Sequence, residues 1–240
     1  MTPEINRRTL LAGFAPALIF GSPWRELCGV RFRAMGRASA SPRRYLQIHG
    51  DEDTARDVLT RHMENRAGAA LIVTGKERNV QIRGLTIDPN RMYSRAGADA
   101  SLRNLNPDAD EARRNAVSAW LDSHREKLLK TLTPGIGSRL FALHNNRNYS
   151  VQDEIAASDD TALNQPNLPR HFFLCTNRAD FELLKKSPYN VVLQSKPDPD
   201  DGSMSRLAAR RGFRYINLEC AIGDFDGQME RVKWLEEHLP

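Results

Sequence analysis

From residue 30 onward, short apolar runs alternate with longer stretches in which apolar residues recur every three to four positions. No other feature constrains the fold as strongly. A run such as Ala69-Ala70-Leu71-Ile72-Val73-Thr74 offers apolar side chains to both sides, as a strand covered on both faces must. Tyr45-Leu46-Gln47-Ile48-His49 reads as a strand, and the next stretch predicts a helix over 54–64 with Ala55, Val58, Leu59 and Met63 on one face. Further strands are expected over 79–83, 139–144, 171–176, 190–194 and 213–219, and helices over 110–132, 178–186, 203–211 and 228–238. Strands separated by helices of this length predict an α/β fold: a single domain with a mixed, mostly parallel sheet and helices on both faces. The polar stretches 152–170 and 195–202 are expected to be irregular loops at strand ends, where ligand sites of such folds form.

Composition narrows the functional classes. At 240 residues, 40% apolar and 27% charged, the chain has the make-up of a globular domain rather than a disordered or coiled-coil protein. Cys28, Cys175 and Cys220 form no CxxC pair and are too few for a disulfide framework. Beyond the first 21 positions no apolar run reaches 18 residues, so the body does not span a membrane. The net charge of +5 resides mainly in residues 1–40, which hold six arginines against two glutamates. The remaining 29 basic and 28 acidic residues nearly cancel, and no basic-aromatic stripe is present, so no nucleic-acid partner is expected.

The basic N-terminus reads as an address. Asn6-Arg7-Arg8-Thr9-Leu10-Leu11 opens an apolar stretch over 10–21, interrupted by Pro16, and resembles a twin-arginine export signal. Residues 1–29 are therefore expected to be an export signal or uncleaved anchor, and residues 30–240 the functional domain. The expected location is outside the inner membrane, in the periplasm. If residues 1–29 instead form an amphipathic helix packed on the domain, the protein stays in the cytoplasm.

Four segments place chemically capable side chains at or just after the end of a predicted strand. In Ile48-His49-Gly50-Asp51-Glu52, a glycine permits a tight turn between an imidazole and a carboxylate three residues apart. Both can converge on one cation at about 2.1 Å, although a strand-end histidine and a first-turn helix acid would leave the same trace. Phe141-Ala142-Leu143-His144 ends a second strand in histidine and could supply a third ligand, leaving a coordination position open. Asp88-Pro89-Asn90-Arg91 sets an amide and a guanidinium on a turn, a pair able to grip a carboxylate. In Tyr215-Ile216-Asn217-Leu218-Glu219-Cys220, the acid near the end of a buried strand is costly unless it is paired, protonated or open to a cleft, and beside a metal it could serve as a general base. Strand alternation points Cys220 away from Glu219, and Cys175 reads as a core thiol. His62, His124 and His238 fall on predicted helices as packing or solvent-facing residues; His171 begins a strand and could reach a strand-end site, but the simpler reading is again a packing residue.

Taken in order, His49-Gly50-Asp51-Glu52, Asp88-Pro89-Asn90-Arg91, strand-borne His144 and strand-borne Glu219 resemble the zinc carboxypeptidase superfamily. The first two motifs are most similar to its succinylglutamate desuccinylase/aspartoacylase branch. The resemblance runs from His49 to Glu219. It implies a zinc-dependent hydrolase on a zinc-exopeptidase-like α/β sheet, holding one Zn2+ per chain on His49, Glu52 and His144. It implies Asn90 and Arg91 as binders of the substrate's carboxylate and Glu219 as general base and acid. A further arginine that polarises the scissile carbonyl has two candidates, Arg78 and Arg83. The late tyrosine of digestive carboxypeptidases has only Tyr149 and Tyr189 as candidates by location, and Met92-Tyr93-Ser94 departs from the usual sequence after the Asn-Arg pair. The expected substrates are small peptides with a free C-terminal carboxylate, as for a metallocarboxypeptidase. The alternatives are N-acyl amino acids, as for a deacylase, or a non-catalytic protein that keeps the scaffold to bind a carboxylate or a metal.

Overall fold

The alternation of strand and helix resolves into a single large sheet. The computed structural model describes residues 23–37 and 41–239. In chain order its elements are β1 (Trp24–Leu27), β2 (Val30–Arg37), β3 (Arg44–Gln47), α1 (Asp53–Met63), β4 (Gly68–Val73), β5 (Val80–Ile82), β6 (Leu85–Ile87), a 3-10 turn at Pro89–Arg91, α2 (Arg95–Leu105) and α3 (Glu111–Leu132). There follow β7 (Arg139–Asn146), α4 (Val151–Ile155), β8 (Asp160–Leu163), β9 (Phe172–Cys175), α5 (Arg178–Leu184), β10 (Asn190–Leu193), α6 (Met204–Arg211), β11 (Arg214–Ala221) and α7 (Phe225–His238).

Nine strands pair in the order β1-β2-β4-β3-β7-β11-β9-β10-β8, and β5 with β6 forms a separate hairpin. The four central strands, β4, β3, β7 and β11, are mutually parallel. β1 and β8 share their direction, while β2, β9 and β10 oppose it, which makes the sheet mixed and mostly parallel, as expected. Side chains alternate between two cores. Leu46, Leu140, Ala142 and Tyr215 face α2, α3, α4 and α6; Tyr45, Phe141, Ile216 and Leu218 face α1, α5 and α7. Polar caps set the helix starts: Ser94 accepts from Gly97 N for α2, Asp110 from Arg113 N for α3, and Ser203 from Arg206 N for α6.

The departures from the sequence reading have local causes. β1 lies inside the segment expected as a leader. Trp24–Leu27 pairs with β2, and Leu27 and Cys28 are buried, so among the described residues the sheet already includes residue 24. The twin-arginine reading itself lies outside the described residues. Helix α2 was not predicted, because Leu102 is its one large buried apolar residue and the others it buries, Gly97, Ala98 and Ser101, are small. The stretch 152–170 is not structureless: it contains most of α4 and the antiparallel edge strand β8. The stretch 195–202 is irregular, as expected. Among the described residues no helix is long and apolar enough to cross a membrane.

Candidate metal centre and cleft

Because β3, β7 and β11 run in parallel, their carboxyl ends open on the same side of the sheet. The chain leaves β3 toward β4 on one side, while β7 lies on the other, and a crevice forms where the connections diverge. His49 stands two residues past β3, and Glu52 occupies the N-cap position of α1 with its side chain free of any capping bond. His144 shares the β7 face of Leu140 and Ala142 and looks into the same crevice. His49 Nδ1 lies 2.7 Å from Glu52 Oε1, and His144 Nδ1 lies 3.2 Å from Glu52 Oε2. The three residues are buried, and their ligand atoms lie within 4.8 Å of one another, so the group could hold a metal ion.

The donor set fits a borderline divalent cation such as zinc: two imidazoles, one carboxylate and a cleft on the open side. Glu52 Oε2 supports this, since it is buried and accepts no well-aligned hydrogen bond. His49 uses its other nitrogen, Nε2, to meet Asp88 Oδ1 at 3.0 Å. That oxygen also accepts from Asn90 N at 2.8 Å, and Asp88 N donates to Ser101 Oγ at 3.0 Å. A carboxylate behind a ligating imidazole fixes its tautomer and raises its basicity. Asp88→Asn is expected to weaken metal binding by about 10- to 100-fold, measured by competition with a chelating dye; unchanged affinity would remove Asp88 from this role.

Electrostatics tie the cluster together. Burial alone would raise the Glu52 carboxyl, but His144 and His49 outweigh it and bring it down to about 2. Burial likewise disfavours a charged His49, yet Glu52 and Asp88 outweigh it and lift the ring to about 9. Glu219 behaves oppositely. Burial pushes its carboxyl up, with His144 opposing and Glu52 adding to the rise.

Glu219 sits on β11 in register with His144 on β7. Asn217, two residues earlier on the same face, donates Nδ2 to Glu219 Oε1 at 3.1 Å. Asn146, two residues after His144, donates Nδ2 to Glu219 Oε2 at 3.1 Å. The Asn146 amide also donates to Arg170 O at 3.0 Å, which fixes which end of the amide faces Glu219. Each carboxylate oxygen thus accepts from one asparagine.

Asn90 and Arg91 project from the 3-10 turn, which Pro89 and the Asp88 side chain start. Asn90 Oδ1 accepts from Met204 N at 3.5 Å, and Arg91 Nη1 lies 3.7 Å from Asp201 Oδ2. The loop carrying Asp201 is stitched to this turn: Tyr93 N donates to Gly202 O at 3.2 Å, and a Cβ on Gly202, at φ +77, would run into the Arg91 carbonyl. Of the two upstream arginines, Arg78 reaches the site, with Nη1 3.4 Å from Glu52 Oε1. Arg83 does not. It occupies the β5–β6 turn at φ +52, with its guanidinium 6.0 Å from the Trp120 ring centroid.

His49, Glu52, Arg78, Asn90, Arg91, His144 and Glu219 all line a single cleft of about 440 Å³. Of the residues considered for the site from sequence, Arg83 and the tyrosine candidate Tyr189 stand outside it. Tyr149 also lines the cleft, with its hydroxyl bonded to Glu154, whereas Tyr189 packs on the other face against Phe173 and Trp234. Cys220 and Cys175 are core residues on that other face. The loop 195–202 contributes Asp201 to the cleft, and nothing from 152–170 lines it. Sequence reasoning missed four partners: Asp88 behind His49, Asn146 and Asn217 around Glu219, and Asp201 beside Arg91. A period of two from His144 and from Glu219 would have found both asparagines. No local signal marks Asp201.

No family model matches the chain, and no curated protein matches it. Solved structures similar to it include a provisionally named metallopeptidase of Shewanella baltica, at 10% identity and TM-score 0.45, covering 88% of this chain and 80% of that one. A succinylglutamate desuccinylase/aspartoacylase of Rhodobacter sphaeroides is similar at 13% identity and TM-score 0.42, covering 88% of this chain but 59% of its own. An N-formylglutamate amidohydrolase of Ralstonia eutropha is similar at 14% identity and TM-score 0.35, covering 86% of this chain and 98% of that one. At these identities and TM-scores the likenesses say nothing about activity or substrate.

Proposed function

We propose that the protein is a zinc-dependent hydrolase that cleaves an amide bond next to a free carboxylate, acting as a metallocarboxypeptidase on small peptides. The observation that carries this reading is the convergence, in one cleft, of the His49/Glu52/His144 group with a bracketed Glu219 and the Asn90–Arg91 pair. A divalent cation held by the three ligands would polarise a substrate carbonyl and lower the pKa of water at the site. Glu219 accepts the proton of the attacking water and returns it to the nitrogen of the leaving amine, held in place by Asn146 and Asn217. Arg91 and Asn90 bind the substrate carboxylate and so fix the amide relative to the metal group. Arg78 also lines the cleft and, of the two candidate arginines, is the one we assign to the carbonyl oxygen.

The second reading is an N-acyl amino acid deacylase, favoured by the modest cleft volume of about 440 Å³, which suits a small ligand better than a long peptide. A non-catalytic carboxylate- or metal-binding protein would keep the same residues without turnover. The test is a hydrolysis screen of the zinc-loaded protein with short peptides, the same peptides amidated at the C-terminus, and N-acyl amino acids. The expected result is cleavage of free-acid peptides and none of their amides. Cleavage of N-acyl amino acids alone would select the second reading, and no cleavage of either class the third. In the active case Arg91→Ala is expected to raise KM by about 10- to 100-fold with a smaller change in kcat, since a charge-assisted pair of hydrogen bonds is lost from ground and transition states alike.

The location proposed is the periplasm, with the Arg7-Arg8 segment as the export signal. Fusion of residues 1–29 to a reporter that works only after folded export would test it. Retention in the cytoplasm, unaltered by Arg7→Lys with Arg8→Lys, would count against it.

A further inference from the structure

Resting on the metal-site reading, we propose that Arg78 is a built-in opposing charge that sets the metal affinity of the His49/Glu52/His144 group, by competing with the cation for Glu52. Glu52 Oε1 already meets His49 Nδ1 at 2.7 Å and His144 Nδ1 at 3.4 Å, and the Arg78 guanidinium approaches the same oxygen at 3.4 Å. Any cation held by the three ligands therefore shares its one carboxylate with a permanent positive charge.

The placement of Arg78 is a property of the fold. Arg78 belongs to the connection between β4 and β5, and that connection is locked to the metal-binding turn. Gly50 N donates to Glu77 O at 3.0 Å, and a Cβ on Gly50 would run into the backbone of Glu77 and Gly75. The Arg56 guanidinium bonds the carbonyls of both Gly50 and Gly75, the latter at 2.7 Å. The turn that delivers His49 and Glu52 thus carries the β4–β5 connection with it. Arg78 cannot be withdrawn by a shift of that connection without disturbing the two ligands.

Two effects follow for a dication at this group. Repulsion from a guanidinium a few ångströms away opposes binding, and the negative charge of the one Glu52 carboxylate is shared between two cations even where the metal takes Oε2 and Arg78 keeps to Oε1. Because the Arg78 side chain is about half exposed, at 49%, solvent screens part of the repulsion and salt reduces it further.

The test is zinc affinity of the chelator-stripped full chain, measured by competition with a chromophoric chelator, and it needs no substrate. Four proteins are compared: wild type, Arg78→Gln, Arg78→Lys and Arg83→Gln. Arg78→Gln is expected to bind zinc about tenfold more tightly than wild type, with a gap that narrows at high salt. Arg78→Lys keeps the charge and should remain within about threefold of wild type. Arg83→Gln removes an equal charge from outside the cleft and should match wild type. Equal or weaker binding by Arg78→Gln overturns the proposal while leaving the metal site standing. So does equal tightening in Arg78→Lys, which would show that charge is not the cause. Failure of all four to bind zinc overturns the proposal together with the metal site itself.

Discussion

Glu219→Gln is expected to retain zinc and lose roughly two to four orders of magnitude in kcat, the usual contribution of a positioned general acid–base group. Gln cannot take a proton from the attacking water or return it to the leaving amine. The geometry explains why the loss should be confined to turnover. Glu219 is not among the three residues that could hold a metal, so zinc content should stay at that of the wild type. The substitution does carry a small structural cost. A glutamine amide can accept from Asn217 or from Asn146 but not from both, because one of its ends is itself a donor. A stability loss of about 1 kcal/mol is therefore expected beside the kinetic effect. Zinc content and thermal melting measured with kcat separate the two. Undiminished kcat in a zinc-loaded Glu219→Gln protein would remove this residue from the proposed chemistry.

The second large effect is expected of His144→Ala, which should abolish stoichiometric zinc binding. About one zinc per chain in the wild type should fall below about a tenth in the variant at equal free zinc, because one imidazole and one carboxylate make a poor site. The β7 backbone should be indifferent to the change, since its neighbours β3 and β11 continue to pair with it. A folded variant without metal is thus the expected outcome. Retention of zinc by a folded His144→Ala protein would show that the cation sits elsewhere.

Much of this site could be read before any coordinates. His49, Glu52, His144 and Glu219 stand next to strand ends, and strand ends are what apolar runs such as Phe141-Ala142-Leu143 reveal. The parallel arrangement followed from helices interposed between strands, and it alone brings residues 170 positions apart to one side of the sheet. What escaped depended on turns and side-chain pairing across the chain. Arg78 and Arg83 are equivalent on paper; a left-handed turn at Arg83 and Gly84 sends one out over Trp120 while the locked β4–β5 connection sends the other to Glu52. Asp201 meets Arg91 only because Gly97 and Gly202 let two backbones touch, where a Cβ at either would collide with the other. Helix α2 hid for the reverse reason: Gly97 and Ala98 serve close packing, so the helix carries too little apolar bulk to mark its period.

The three thiols have a consequence for how the protein can be made and moved. Cys28, Cys175 and Cys220 are free and buried, and burial raises all three, Cys28 to about 11, so none is a ready nucleophile at neutral pH. Folding calls on no oxidant, and once complete it shields the sulfurs from both disulfide exchange and stray metal. The domain can therefore mature in reducing surroundings and meet an oxidising compartment afterwards without chemical change, provided it travels already folded.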